Sequence, residues 1–250
     1  MRGRVALITG ADTRGMGRAI AFGLAWEGAA VALGYHTRPE RGERAAAGIR
    51  HVGGSAEAVR LDVTSAASVK LAFNDVERML GLVDCLVCCA AVIERERVVE
   101  STDVSVAGQV AVNVEGTLRV NREFVSRLLA AGRPGSIVNV GSITRTVAGA
   151  GMPTYAATKG AIWSMSRALA GDLAGHGIRV NTVSPGSFLT DFNRHLLNRP
   201  GATEERARSV PLGRIGRPRD IVGAVVFLAS DAAGYVTGAD IRVDGGRSVV

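Results

Sequence analysis

Short, continuously apolar runs alternate with longer amphipathic stretches along the whole chain. The runs fall at 4–9, 29–35, 56–61, 83–89, 135–141, 178–183 and 239–243. Apolar residues at helical spacing fill 18–27, 38–52, 65–80, 101–131, 154–174 and 220–230. A strand with one wet face would alternate polar and apolar residues. These do not, so they predict strands buried on both faces, hence a parallel sheet. Parallel neighbours need crossovers, and the amphipathic stretches supply them as right-handed β-α-β units. The expectation is an α/β chain with a doubly wound, seven-stranded parallel sheet and helices on both faces. Neither linker nor repeat interrupts the pattern over the 250 residues, which predicts one domain across 1–250.

Composition narrows the class. The apolar fraction of 47% supplies a core, yet no apolar run is long enough to span a membrane. The N-terminus enters the first strand with no signal-peptide pattern, so a cytoplasmic protein without membrane association is expected. Cys85, Cys88 and Cys89 share one strand and lack the partner ligands of a metal site. In a strand, positions 85 and 88 face opposite ways, so buried free thiols are expected. The net charge of +7 rests on scattered arginines with no nucleic-acid-binding motif, so no nucleic acid partner is expected.

Two stretches carry chemistry. Thr9-Gly10 through Gly15-Met16-Gly17 lies between the first strand and first helix. Such a turn brings backbone N–H groups and a helix N-terminus close to a phosphate. Tyr155 and Lys159 stand four residues apart, so one helix turn presents a phenol and an ammonium to the same side. A neighbouring cation is expected to lower the phenol's pKa toward a useful range. Lysine occurs only at 70 and 159 in this arginine-rich chain, which sets Lys159 apart.

These residues resemble, over essentially the whole length, the classical short-chain dehydrogenase/reductase family, and in particular its 3-oxoacyl-carrier-protein reductases. Tyr155 and Lys159 match its Y-x-x-x-K motif, Ser142 its catalytic serine and Asn113 the asparagine of its tetrad. The 180–190 and 213–246 segments resemble its nicotinamide-side loop and C-terminal signature. The resemblance implies a Rossmann fold, a homotetramer, and hydride transfer between a nicotinamide cofactor and a carbonyl or secondary alcohol. Tyr155 would donate the proton, Ser142 would bond the same oxygen, Lys159 would hold ribose hydroxyls, and Asn113 would position a relay water. Cofactor contacts are expected at Gly10, Arg14, Gly15, Met16, Gly17, His36, Thr37, Arg38, Asp62, Val63, Ala90, Tyr155, Lys159, Pro185, Gly186, Phe188 and Thr190. No metal is expected.

The second predicted strand ends in Gly34-Tyr-His-Thr-Arg38 with no acid to bind a ribose 2′-hydroxyl, and Arg14 precedes Gly15. Both favour NADP(H) over NAD(H). The 187–213 segment is the expected substrate lid. Its Phe188, Phe192, Leu196 and Leu197, among arginines, suit an apolar substrate with an acidic handle, such as a carrier-bound 3-oxoacyl thioester. A small-molecule carbonyl is the alternative; Arg127 and Arg133 are expected as solvated surface arginines, with an acidic carrier as the other partner open to them. Two departures stand out. The glycine turn has one residue more than the family's T-G-x-x-x-G-x-G, and Cys88-Cys89-Ala90-Ala91 replaces Asn-Asn-Ala-Gly. They leave open a non-catalytic, NADP-binding regulatory protein of the same fold.

Overall fold

The computed structural model describes residues 1–147, 149–191, 193 and 200–250. Seven strands form one parallel sheet: β1 Val5–Ile8, β2 Ala30–Tyr35, β3 Ala56–Arg60, β4 Cys85–Cys88, β5 Gly135–Val140, β6 Ile178–Pro185 and β7 Asp240–Val243. Their order is β3-β2-β1-β4-β5-β6-β7, so the winding reverses between β1 and β4. In open α/β sheets such a reversal opens a crevice at the carboxyl ends of the strands.

Alternate strand residues feed two cores. Ala6 and Ile8 of β1, Val138 and Val140 of β5 pack under α1 (Met16–Trp26), α2 (Pro39–His51) and α8 (Val222–Ala229). Val5, Leu7, Leu86 and Ile137 face α3 (Ala66–Leu80), α5 (Thr117–Ala131) and α6 (Pro153–Leu173). Cys85 lies in the first core and Cys88 in the second, as the strand period requires. All three cysteines are free thiols.

The 101–131 helix is less uniform than its periodicity suggests. It comprises α4 (Asp103–Val110), a π-helical stretch at Ala111–Gly116 and α5. The wider π turn carries Asn113 and Gly116. A Cβ on Gly116 would lie 2.7 Å from Val63 Cγ2, so the helix passes tightly against the segment after β3. Between 187 and 217 the chain is not wholly irregular, since α7 covers Ala202–Ala207. Phe192, Leu196 and Leu197 lie outside the described residues.

At the crevice, Gly10 has φ 66°, and a Cβ there would lie 2.9 Å from Ala90 Cα. Only glycine lets the β1 and β4 ends approach so closely. The buried Thr9 hydroxyl accepts from the N–H groups of Cys89 (3.0 Å) and Ala90 (2.9 Å). Thr9→Val keeps the shape and removes the acceptor from both donors. It should lower unfolding free energy by about 1–3 kcal/mol in urea titrations.

Candidate active site

Helix α1 opens the cofactor side of the cleft. Its N-cap, Gly15, provides no side-chain cap, and the first turn contains no acid. The leading N–H groups and the positive end of the dipole therefore face the cleft without an internal counter-group, which suits an anionic phosphate. Asp12 does not cap the helix. A Cβ at Gly17 would lie 2.5 Å from Gly10 O, so the helix start and the turn pack backbone to backbone.

The extra residue of the glycine turn is accommodated outward. Gly15 N bonds Thr13 O at 2.8 Å, and Arg14 is pushed to the surface. There Arg14 N donates to Asp191 Oδ2 at 3.1 Å, Asp191 N faces Arg14 O at 3.4 Å, and Arg41 Nη1 lies 3.8 Å from the same carboxylate. Asp191 thus pins the segment after β6 to the rim of the glycine turn, and it carried no distinctive signal in the sequence.

His36, Thr37 and Arg38 are exposed where β2 ends. His36 Nε2 lies 3.6 Å from Asp62 Oδ2. The Asp62 carboxylate takes hydrogen bonds from Thr64 N and Oγ1 at 2.9 and 2.6 Å, and the Thr64 contact is the main reason its pKa falls below the usual value. Val63 is buried, and its carbonyl accepts from Arg119 at 2.7 Å.

On the opposite wall, α6 carries Tyr155, Thr158 and Lys159. Ser142 sits at the end of β5, where its Oγ accepts from Thr144 N (3.1 Å) and Thr144 Oγ1 (2.9 Å). With its oxygen accepting twice, Ser142 keeps its own hydroxyl proton to donate, and it pulls the Tyr155 pKa downward. Lys159 is buried, donates from Nζ to Val140 O at 2.9 Å, and lies 5.6 Å from the Tyr155 ring centre.

The expected lowering of the Tyr155 pKa does not occur. Burial dominates and pushes the phenol up to about 12, against the downward pull of Ser142 and Arg95. The Lys159 ammonium is drawn to the Val140 carbonyl, and burial brings its own pKa down to about 8. Tyr155 is therefore a neutral hydroxyl near pH 7, a proton donor rather than a preformed phenolate.

The Asn113 amide is bonded at both ends. Its Oδ1 accepts from Val92 N (2.8 Å), and its Nδ2 donates to Val92 O (2.9 Å) and Thr158 Oγ1 (3.1 Å). Thr117 Oγ1 donates to its carbonyl at 2.8 Å. The side chain clamps the loop after β4 onto α6.

The Cys-Cys substitution is absorbed locally. Cys88 Sγ donates to Asn121 Oδ1 at 3.5 Å, while Asn121 Nδ2 has no partner. Ala91 needs no glycine, because no non-glycine described residue has a positive φ. Gly186 does: a Cβ would lie 2.7 Å from Asp244 Cβ. Pro185 is buried at the end of β6, and Thr190 lies beside Gly15 with its N–H on Asn193 Oδ1 at 3.1 Å. The Phe188 ring is committed to the core, against Gly216, so only its backbone remains for the expected cofactor contact.

Arg127 is likewise committed, to Glu77 at 2.6 Å and Glu123 at 2.8 Å, and does not await an acidic partner. Among the described residues no His, Cys, Asp and Glu cluster could hold a metal, and no helix is long and apolar enough to cross a membrane.

The two lysines make the Lys159 shift measurable. In a protein labelled with ¹³C,¹⁵N-lysine, one ε signal should titrate near pH 8 and disappear in Lys159→Arg. Titration only near the ordinary lysine value would contradict burial as the controlling effect.

Comparison with known proteins agrees with this geometry. The family model described as enoyl-(acyl carrier protein) reductase matches residues 10–248. L-rhamnose 1-dehydrogenase (NAD(P)(+)) of Sphingomonas sp. (strain SKA58) is 36% identical over 249 residues, covering 100% of this chain and 98% of the relative. The 3-oxoacyl-[acyl-carrier-protein] reductase FabG of Escherichia coli (strain K12) is 36% identical over 251 residues, covering 99% and 98%. The solved gluconate 5-dehydrogenase of Burkholderia cenocepacia J2315, in complex with NADP and tartrate, superposes with a TM-score of 0.93 at 32% identity, covering 100% and 97%. With its doubly wound sheet and the Ser142, Tyr155 and Lys159 wall, the chain belongs to the classical short-chain dehydrogenase/reductase family, whose members are oxidoreductases.

Proposed function

We propose that the protein is an NADP(H)-dependent oxidoreductase that interconverts a carbonyl and a secondary alcohol. The observation that carries this reading is the Tyr155 hydroxyl, kept neutral by burial, with Ser142 and Lys159 beside it, across the cleft from an uncapped helix N-terminus. The cofactor fits this cleft because the crowding at Gly10 and Gly17 makes the turn a backbone cradle. The N–H groups from Gly15 to Gly17 would hold its diphosphate, with Gly10 giving the approach. Arg14, His36, Thr37 and Arg38 would meet the 2′-phosphate, and Asp62 and Val63 the adenine. Ala90, Pro185, Gly186, the Phe188 backbone and Thr190 would border the nicotinamide end, with Tyr155 and Lys159 beside its ribose. When bound, the nicotinamide supplies or accepts the hydride.

The residues of this chain supply the rest. As negative charge grows on the carbonyl oxygen, Tyr155 delivers its proton to that atom and Ser142 donates a second hydrogen bond. The nearby Lys159 ammonium favours the phenolate that Tyr155 becomes. In the oxidative direction the same groups accept the proton. The 187–213 segment would cover the substrate, and the assembly we infer is a homotetramer through 101–131, 154–174 and the last strand. The 3-oxoacyl thioester and a small-molecule ketone are both compatible with the Tyr155 geometry.

NADPH oxidation against a panel of carbonyl compounds tests the reading. Tyr155→Phe should cut kcat by about 10²–10⁴ while cofactor still quenches protein fluorescence. Tight NADPH binding with no turnover, indifferent to Tyr155→Phe, would instead fit a regulatory protein. Replacing both Arg14 and Arg38 by Glu should reduce the NADPH-to-NADH preference in kcat/KM by about tenfold or more, because each cation exchanged for an anion repels the 2′-phosphate.

A further inference from the structure

The Ser142 hydroxyl has a neighbour to which the reaction chemistry above gives no role. Ser142 is the N-cap of a single 3₁₀ turn, Ile143–Arg145. Its Oγ accepts from Thr144 N at 3.1 Å and from Thr144 Oγ1 at 2.9 Å. A hydroxyl oxygen has two lone pairs and one proton. Thr144 occupies both lone pairs, so donation is all that remains to Ser142. The bond from the backbone alone is the common local turn of a serine. The bond from Oγ1 is an addition that needs a hydroxyl two residues further on. Among the described residues, Ser142 Oγ is the one acceptor to which the Thr144 hydroxyl donates.

The turn is anchored on both sides by the next residue. Arg145 Nη2 lies 2.5 Å from Asp240 Oδ2 on β7, with both side chains nearly buried. Asp240 Oδ1 in turn accepts from Ser184 Oγ at 2.6 Å. The Arg145 guanidinium also covers the Trp163 ring of α6, 4.7 Å from its centre. Thr146 N and Val147 N close the turn on Ile143 O at 2.9 and 2.8 Å, and Ile143 is buried. Thr144, half-buried between these anchors, keeps its hydroxyl against Ser142. The consequence is chemical. A serine oxygen with a vacant lone pair could take a proton that the substrate oxygen needs. A hydrogen bond given to a hydroxyl oxygen also polarises its O–H and strengthens the bond it donates.

We propose that Thr144 is a positioning residue that locks the Ser142 hydroxyl as a hydrogen-bond donor to the substrate oxygen. This rests on the oxidoreductase reading and deepens it. Thr144 touches no reacting atom and acts through Ser142. With its lone pairs filled, Ser142 cannot compete for the Tyr155 proton. Both hydroxyls then offer their protons to the one oxygen on which negative charge grows.

Thr144→Val keeps the side-chain shape and the backbone N–H and removes the hydroxyl alone. It should lower kcat for NADPH-driven carbonyl reduction about tenfold, the scale of one hydrogen bond, with KM for NADPH unmoved. Thr144→Ser, which retains a hydroxyl, should recover most of that loss. In a Ser142→Ala background Thr144→Val should change kcat no further, because its effect runs through Ser142. Wild-type kcat in Thr144→Val, no recovery in Thr144→Ser, or an equal loss in the Ser142→Ala background overturns the proposal. A second readout needs no turnover. In protein labelled with ¹³C at threonine Cβ, in equal parts H₂O and D₂O, a hydroxyl proton held in a hydrogen bond exchanges slowly. Its Cβ signal then splits into two isotope-shifted lines. The Thr144 signal, identified by its loss in Thr144→Val, should be split in the wild type and single in Ser142→Ala. A single line in the wild type, or a split that persists in Ser142→Ala, refutes the lock even if carbonyls are reduced. The expected splitting in a protein that reduces no carbonyl supports the Thr144 bond to Ser142 and refutes the oxidoreductase reading.

Discussion

The Thr9 hydroxyl joins the two halves of the molecule. The sheet reverses direction between β1 and β4, and a reversal leaves main-chain donors at the strand ends without ladder partners. Thr9 takes two of them, from Cys89 and Ala90, and Gly10 then lets the two backbones come nearly into contact. The cleft exists because these two strand ends meet here and then diverge, β1 into the glycine turn and β4 into the loop that Asn113 clamps. This also explains why Cys88 and Cys89 are tolerated. The brace between the strands runs through the backbone of residues 89 and 90 and needs no amide side chain. The cost appears one layer deeper, where Asn121 Nδ2 is left without an acceptor.

On the other wall, burial is the controlling effect. The Lys159 ammonium lies 5.6 Å from the Tyr155 ring centre, yet desolvation is the largest influence on each group. It raises the phenol and lowers the amine, so both neutral forms gain. The Val140 carbonyl takes the ammonium as a neutral acceptor. That leaves the phenol as a donor awaiting a substrate oxygen. A site organised in this way develops charge during the reaction and need not store it beforehand.

Much of this was legible in the sequence. Continuous apolar runs specify a doubly buried parallel sheet, and the structure has those strands in that arrangement. The Tyr155 and Lys159 spacing places both on one side of α6, and Ser142 meets them at the end of β5. What periodicity conceals is whatever depends on side-chain partners from distant segments. The π turn around Asn113 has the same apolar pattern as the α-helix on either side. The commitment of Asn113 to Val92 and Thr158 joins residues 21 and 45 positions away. The Tyr155 pKa was misjudged for the same reason: four-residue spacing reveals the nearby cation but not the depth of burial. Phe188 is expected in the substrate lid and Arg127 as a partner for an acidic carrier, whereas the structure packs the Phe188 ring against Gly216 and pairs Arg127 with Glu77.

The longer glycine turn shows how variation is confined to the rim. An added residue within the cradle would displace the N–H groups that face the phosphate site. Instead the chain folds tightly at Thr13 and Gly15, and the surplus emerges as Arg14 at the surface. There its backbone meets Asp191, which also draws in Arg41 from α2. The backbone crowding of Gly10, Gly17 and Thr9 beneath is undisturbed. Proton transfer and the phosphate cradle depend on distances that a few buried contacts set. The rim at Arg14 and Asp191 lies on loops, where substitution costs the fold little. The rim can therefore vary while the wall of Ser142, Tyr155 and Lys159 stays as it is.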